Sequence, residues 1–192
     1  DFVARGVRNS VGFDFHPTSE KLYFTDNGRD WLGDDSPSCE LNRVDVDGGF
    51  YGFPYKHATN IVDPDFGNIN SGFDFIDPIL ELGAHVAPTG IAFYDGKMFP
   101  EEFQENLFIT LHGSWNRSQK VGYKLIRVIF DEAGDVKASE DFITGWLDSK
   151  INEDGKVEEI VYGRPSAPFI MNDGSMLISD DKANLIYRVV LK

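Results

Sequence analysis

Three similar sets of short hydrophobic strands follow one another along this chain of 192 residues. Each set has a short strand, a turn, a more hydrophobic strand, a polar loop and a strand that ends on Arg-Val. The predicted strands span residues 12–15, 22–26 and 40–44, then 90–93, 107–111 and 123–128, then 167–170, 176–180 and 185–189. Because repeated units bury their apolar faces against one another, this repeat constrains the fold more than any other feature.

Short β-rich runs separated by Gly, Asp, Asn and Pro also dominate the rest of the chain, and the one candidate helix covers residues 100–105. We therefore predict an all-β protein. The sets begin at residues 12, 90 and 167, an interval longer than the roughly 40 to 45 residues of a compact propeller blade. Segments 48–88 and 131–163 have room for an outer strand and an insertion, and the second also for a degenerate blade.

A radially repeated antiparallel sheet, the β-propeller, fits this pattern best, and a sandwich with coincidentally similar strands is the alternative. Propellers close with four to eight blades, so three repeats would leave two open edges. We predict that residues 1–192 form a single domain, a partial β-propeller with repeats near 8–54, 86–130 and 160–192. The missing N-terminal blades of the same protein are then its first expected partner.

The composition excludes several functions. A formal net charge of -14 repels a phosphate backbone, so nucleic acid is not an expected partner. Cys39 is the single cysteine, which excludes an internal disulfide and a multi-cysteine metal cluster. No apolar run reaches the roughly 20 residues of a membrane span.

Polar residues concentrate before the first strands and after the second strands of the sets. Arg8, Asn9, His85 and Arg164 precede first strands, and arginine forks suit carboxylates. The alternatives are surface ion pairs for the arginines and a structural role for His85. In a propeller the first strands line the central channel, so these groups would converge on one mouth.

Loops 26–35, 112–117 and 179–181 follow the second strands. Loop 26–35 is rich in oxygen atoms that could bind a metal, and Glu40 and Tyr51 follow it closely. This pattern indicates a calcium site, and the alternative is a solvated acidic turn. Trp115 and Arg117 would stack on and pair with a planar anion, unless Trp115 packs under its own loop. Ser114 near His112 lacks a positioned acid, which leaves serine hydrolysis a weak hypothesis.

These motifs together resemble the pyrroloquinoline quinone (PQQ)-dependent sugar dehydrogenases. The resemblance is strongest to the branch of sorbosone dehydrogenase and fungal pyranose dehydrogenase, relatives of soluble glucose dehydrogenase, and it runs from Val3 to Leu191. The motifs that carry it are Arg8-Asn9, Leu22-Tyr-Phe-Thr-Asp-Asn-Gly28, Glu40-Leu-Asn42, Tyr51-Gly-Phe-Pro54, Gly83-Ala-His-Val-Ala-Pro88, His112-Gly-Ser-Trp-Asn-Arg117 and Gly163-Arg-Pro165.

The resemblance implies a six-bladed propeller of which this chain is roughly the C-terminal half, with PQQ and Ca²⁺ at the channel mouth. Arg8 and Asn9 would contact the quinone edge, with Arg8 as electrostatic support, and Arg164 would pair with a PQQ carboxylate. Carbonyls of Gly28 and Arg29 would bind the cofactor's calcium. Glu40 and Tyr51 would hold a second calcium. The other side of the cofactor would be lined by Trp115, Arg117, His112 and His85.

The implied activity is oxidation of an aldose or pyranose by hydride transfer to the quinone, with an unidentified cytochrome or quinone-type electron acceptor and a secreted or periplasmic location. The general-base histidine of that family has no counterpart among the four histidines here. We therefore expect the chain by itself to be inactive. The alternatives are a non-catalytic carbohydrate- or protein-binding propeller and a calcium-dependent lactonase-type hydrolase.

Overall fold

The computed structural model describes residues 1–191, and the chain is all-β, as predicted. The strands are β1 Ala4–Arg5, β2 Phe13–Phe15, β3 Leu22–Asp26, β4 Ser38–Arg43, β5 Gly49–Phe50, β6 Lys56–His57, β7 Ile61–Val62, β8 Leu80–Ala84, β9 Pro88–Phe93, β10 Leu107–Leu111, β11 Lys124–Phe130, β12 Val136–Ile143, β13 Leu147–Ile151, β14 Val157–Val161, β15 Pro165–Ile170, β16 Met176–Asp180 and β17 Leu185–Val189. A single 3₁₀ turn, Glu101–Phe103, stands where the sequence predicted a helix over 100–105.

Three antiparallel sheets contain the predicted strand sets. Their strand orders are β2-β3-β4-β8, β9-β10-β11-β12 and β15-β16-β17, and smaller pairs join β1 to β5, β6 to β7 and β13 to β14. The outer strands β8 and β12 fall in the long segments between the repeats, and the β13-β14 hairpin occupies the rest of the second one. The sheets formed by residues 1–191 are open, so closure into six blades stays a prediction.

The first strands of the three sheets lie side by side, and small residues let their backbones approach. A Cβ atom on Gly12 would lie 2.3 Å from the carbonyl oxygen of Thr89, and one on Gly90 would lie 2.5 Å from Cα of Ala167. Residues 12, 90 and 167 begin the three predicted sets. The repeated small residue therefore marks the line along which neighbouring sheets meet.

The apolar core lies between successive sheets. Leu107 and Ile109 of β10 pack with residues of the first sheet, whereas Phe108, between them in sequence, packs with residues of the third. Side chains alternate between the two faces of a strand, so every residue of β10 is buried. The unbroken hydrophobic run of this strand reflects its position between two cores.

An arginine lies in the third strand of each set. In the second set this residue is Arg127, and its side chain stabilises the scaffold. The Arg127 guanidinium is buried, donates to Asn106 Oδ1 at 2.8 Å and lies 4.0 Å from the centre of the Phe103 ring. Such a fixed guanidinium ties β11 to the turn before β10. In the part of the chain that the structure describes, no helix is long and apolar enough to cross a membrane.

Candidate functional site

The polar loops that follow β3 and β10 are joined by side-chain bonds. Asn116 Nδ2 donates to Asp30 Oδ1 at 2.7 Å. Arg117 pairs with Asp35 at 2.7 Å and also donates to the carbonyl of Asp34. Five residues from the loops of two different sheets are therefore held at one end of the strands, although the loops are far apart in sequence.

The loop after β16 joins the same end. His112 Nε2 lies 2.9 Å from Asp181 Oδ1, and Arg164 Nε donates to the carbonyl of His112 at 3.1 Å. A second Arg164 nitrogen donates to the carbonyl of Gly113, and its guanidinium lies 5.6 Å from the centre of the Tyr123 ring. All three loops thus form one polar rim, which we call the mouth: residues 26–35, 112–118 and 179–182.

Two aspartates at equivalent strand ends fix the segments that lead into the first strands. Asp26 accepts the backbone N–H groups of Arg8 at 2.8 Å and Asn9 at 2.6 Å, and Asp180 accepts that of Arg164 at 2.9 Å. Burial raises the pKa of Asp26. For Asp180 burial acts in the same direction, but the backbone N–H bonds outweigh it and lower the pKa.

A cavity of about 120 Å³ opens at the mouth between the first two sheets. It brings together five of the residues predicted from the sequence: Arg8, Asn9, Gly28, His85 and Trp115. The remaining lining residues are Asn27, Asp30, Cys39, Ala87 and Asn116. Residues from positions 8 to 116 thus meet in one concave site with polar groups and one indole ring.

Arg8 is held firmly on one side of this cavity. Its Nη1 donates to the carbonyls of Asn27 at 3.1 Å and Gly28 at 2.9 Å, and its Nη2 pairs with Asp30 at 3.0 Å. A glycine suits this position, since a Cβ atom would make tight contacts of 3.0 Å with the carbonyl oxygens of Pro37 and Ser38. The Gly28 carbonyl predicted to face calcium therefore accepts a bond from Arg8 in this structure.

His85 and Trp115 occupy the other side. His85 Nε2 lies 2.7 Å from the carbonyl oxygen of Gly33, so this nitrogen carries the proton in a neutral ring. Trp115 is 66% exposed, and its ring meets that of Trp31 edge to face, with centroids 6.1 Å apart. Trp115 is not packed under its own loop, which was the alternative.

Arg117 lies beside the cavity with one donor unused. Its two terminal nitrogens bond to the loop 34–35, but its Nε atom is buried and has no hydrogen-bond partner among the described residues. A buried donor without a partner costs about 1–3 kcal/mol. Arg117 is therefore positioned where an additional acceptor would be favourable.

Arg29 lies outside the cavity and pairs with the carboxylates of Asp63 and Asp65. Asp63 is buried and lies 2.7 Å from His57 Nε2. Burial alone would raise the Asp63 pKa, but the bonds from His57 and Arg29 hold it well below its ordinary value. The Arg29 side chain is thus anchored to the insertion between β5 and β8.

Glu40 and Tyr51, the predicted second calcium site, have different side-chain partners. The buried Glu40 carboxylate accepts the Ala58 N–H at 2.7 Å and the Asn42 amide at 3.0 Å, and burial raises its pKa to about 7. The Tyr51 hydroxyl donates to the Arg43 carbonyl at 2.9 Å, and burial raises its pKa to about 12. Their joint role stays a prediction, and within residues 1–191 no group of three or more His, Cys, Asp or Glu side chains is placed to hold a metal.

Sequence reasoning missed several residues of the mouth. Asp30 and Asn116 tie two loops together, and Asp34 accepts the Ser118 N–H at 3.2 Å. Trp31 is 83% exposed beside Trp115. All four lie in the loops that the repeat comparison had singled out, but their pairing depends on how two sheets sit against each other.

The fold is that of the PQQ-type sugar dehydrogenase structures. The calcium structure of Trichoderma reesei Carbohydrate-Active Enzymes Family AA12 matches with a TM-score of 0.74 and 24% identity over 97% of this chain and 52% of that one. The holo PQQ domain of Coprinopsis cinerea pyranose dehydrogenase matches with a TM-score of 0.68 and 19% identity over 98% and 55%. At these identities the likeness shows the fold.

The TrAA12-like family profile matches residues 69–191, and the chain belongs to this family. A Borreliella burgdorferi protein described as uncharacterized is 44% identical over 191 residues, which is 98% of this chain and 48% of that protein. The resemblance predicted from the sequence is therefore confirmed. The chain spans about half the length of the relatives it matches.

Proposed function

We propose that this chain supplies one side of the cofactor site of a PQQ- and calcium-dependent oxidoreductase that oxidises an aldose or pyranose sugar. The carrying observation is the cavity in which Arg8, Asn9, His85 and Trp115 meet, with Arg117 beside it. The chain carries a net charge of -14, so a carboxylate ligand can be held only where cations are concentrated locally.

The residues at the mouth fit PQQ, which is a planar tricarboxylate. Arg117 has a buried Nε donor without a partner, and the exposed Trp115 ring offers a flat surface for stacking. We assign PQQ binding to Arg8, Asn9, Trp115 and Arg117, with His85, His112 and Arg164 completing the rim. When bound, PQQ would supply the hydride acceptor, and the Arg8 guanidinium would stabilise negative charge beside it.

Calcium is proposed at two places. The backbone carbonyls of Gly28 and Arg29 would face the cofactor's calcium, and Glu40 with Tyr51 would hold the second. Glu40 fits a cation because its buried carboxylate has no cationic partner among residues 1–191, and the neighbouring Asn42 Oδ1 is a buried oxygen without a hydrogen bond in the same part of the chain. Oxygen ligands of this kind suit calcium.

The general base is proposed to lie on a part of the protein outside this chain, because each histidine here has a partner. His57 lies against Asp63, His85 against the Gly33 carbonyl, and His112 against Asp181. His16 Nδ1 accepts the backbone N–H groups of Thr18 and Ser19 at 3.2 Å. The chain alone would then bind part of the cofactor without turning over sugar.

The whole protein is proposed to be a six-bladed propeller of which this chain is the C-terminal half. Apolar side chains stand exposed on the first and last of the three sheets, among them Phe13, Phe15, Phe169, Leu185 and Ile186. Uncovered apolar residues on the first and third sheets fit further sheets of the same protein, since the relatives are about twice as long. A pyranose substrate, a cytochrome or quinone-type acceptor and a secreted or periplasmic location complete the proposal.

The test is reconstitution of the full-length protein with PQQ and CaCl₂, followed by quinone absorbance and dye reduction with glucose. Arg117→Ala is expected to weaken PQQ binding roughly 10- to 100-fold, the worth of hydrogen bonds to a charged group. Arg188→Ala is the matched control, because Arg188 pairs with Asp173 at the opposite end of the third sheet. Equal PQQ affinity in both variants would contradict the assignment.

The same experiment separates the two alternatives. A non-catalytic carbohydrate-binding protein would bind sugar without taking up PQQ. A lactonase would hydrolyse esters without PQQ, but Asp30 and Asp35 are paired with Arg8 and Arg117, and Asp34 accepts the Ser118 N–H. The acidic loop is thus engaged in holding the mouth together.

A further inference from the structure

Trp31 has an unusual combination of properties for a residue in a polar loop. Its side chain is 83% exposed, the highest value among the large hydrophobic residues that the structure describes as exposed. Its backbone has φ of 69°, in the left-handed region that bulky side chains rarely adopt. An exposed indole on a strained backbone contributes little to stability, and such strain concentrates at ligand sites.

The ring of Trp31 contacts the ring of Trp115, which lines the cavity. It meets the Trp115 ring at an interplanar angle of 83°, with centroids 6.1 Å apart, so the two indoles form a corner. Trp115 lines the cavity and Trp31 does not. Trp31 therefore stands one ring further from the cavity than Trp115 does.

We infer that Trp31 is the stacking platform of an outer sugar subsite, which holds the second pyranose unit of a disaccharide or oligosaccharide whose first unit lies at the mouth. A pyranose ring presents a flat face of C–H groups to an indole, and its hydroxyl groups donate to carboxylates. Asp35, four residues further along the loop, has a carboxylate that is 86% exposed although one oxygen accepts from Arg117.

This subsite presupposes the proposed sugar oxidation, so its test compares two sugars in the reconstituted full-length enzyme. Glucose is the one-ring probe and cellobiose the two-ring probe. Trp31→Ala is expected to raise the KM for cellobiose about five- to ten-fold relative to the KM for glucose, as loss of one aromatic stacking contact would. Trp31→Phe should recover part of that ratio.

Ile151→Ala is the control, since Ile151 is 75% exposed on the β13-β14 hairpin away from the mouth. It should keep the wild-type ratio of the two KM values. A ratio that Trp31→Ala leaves unchanged, or an equal rise for both sugars, overturns the subsite. A loss of rate seen only with a protein electron acceptor also overturns it, because Trp31 would then contact that protein.

Two further measurements do not depend on turnover. Cellobiose should quench the tryptophan fluorescence of the wild type and not that of Trp31→Ala, even if no sugar is oxidised and the proposed function fails. Trp31→Gly should raise Tm by roughly 2–4 °C, because glycine adopts this φ without strain. A fall in Tm would show that Trp31 is kept for folding and would contradict its role as a platform.

Discussion

The buried carboxylate of Glu40 makes the stability of the metal-free protein depend on pH in a predictable way. Glu40 is 7% exposed, and burial, reinforced by the nearby carboxylates Asp26 and Glu81, raises its pKa from 4.5 to about 7. The folded state therefore holds its proton at pH values where the unfolded chain has lost it. Folding stability falls as the pH rises from about 4.5 to about 7, and the deficit persists above that.

The size of this effect follows from the shift. One pKa unit is worth about 1.36 kcal/mol, so a shift from 4.5 to about 7 corresponds to a deficit of about 3 kcal/mol above pH 7. Glu40→Gln removes the charge and keeps the shape. The glutamine oxygen can still accept the Ala58 N–H, and Asn42 can turn its amide so that its unpartnered Oδ1 accepts from the new amide.

We expect Glu40→Gln to match the wild type near pH 4 and to be more stable by about 2–3 kcal/mol at pH 8. Urea unfolding in EDTA at both pH values measures this. A stability difference that is the same at pH 4 and pH 8 would refute the reasoning, because only a titrating Glu40 makes it change. Adding calcium at pH 8 should stabilise the wild type alone if Glu40 is a ligand.

Two further predictions concern the scaffold of the mouth. Gly90→Ala should lower the free energy of unfolding by about 1–3 kcal/mol, since its Cβ would lie 2.5 Å from Cα of Ala167; thermal unfolding with a wild-type Tm would contradict the close approach of the sheets. Asp180→Asn should destabilise the protein at pH 7 and less at pH 3, because the pKa of Asp180 is lowered on folding and its stabilisation is lost as the pH falls through that pKa. Urea unfolding at the two pH values tests it, and an equal loss at both would count against it.

The central strands could be predicted from the sequence because local pattern and burial agree there. The strands β3, β10 and β16 have the predicted bounds, 22–26, 107–111 and 176–180. The outer strand β12 could not be read in this way. Five of its eight residues are exposed, so it lacks an apolar alternation, and its pairing with β11 alone makes it a strand.

The candidate site shows a similar division. The repeat comparison found the loops, and five of the ten residues that line the cavity were predicted, because equivalent loops of equivalent strands end on one side of the sheets. It could not find the partners of the arginines. Arg164 donates to carbonyls at residues 112 and 113, and Arg29 pairs with residues 63 and 65, contacts between segments whose relative position only the packed sheets determine.

The loop 112–118 differs from its two counterparts in how its backbone is held. The loops after β3 and β16 begin at Asp26 and Asp180, whose carboxylates accept backbone N–H groups. The equivalent position in β10 is Leu111, and there the strand pairing simply continues: the His112 and Gly113 N–H groups donate to the carbonyls of Ala87 and Val86, both at 2.9 Å.

The side chain of Tyr123 fixes the base of this loop. Its hydroxyl donates to the Ser114 carbonyl at 2.6 Å, and its ring lies where a Cβ atom on Gly113 would be. Main-chain bonds and one tyrosine therefore fix the base of the loop. The side chains of His112, Asn116 and Arg117 bond to the neighbouring loops, and the Trp115 ring stays exposed. Substitution of Trp115 should consequently change binding far more than folding.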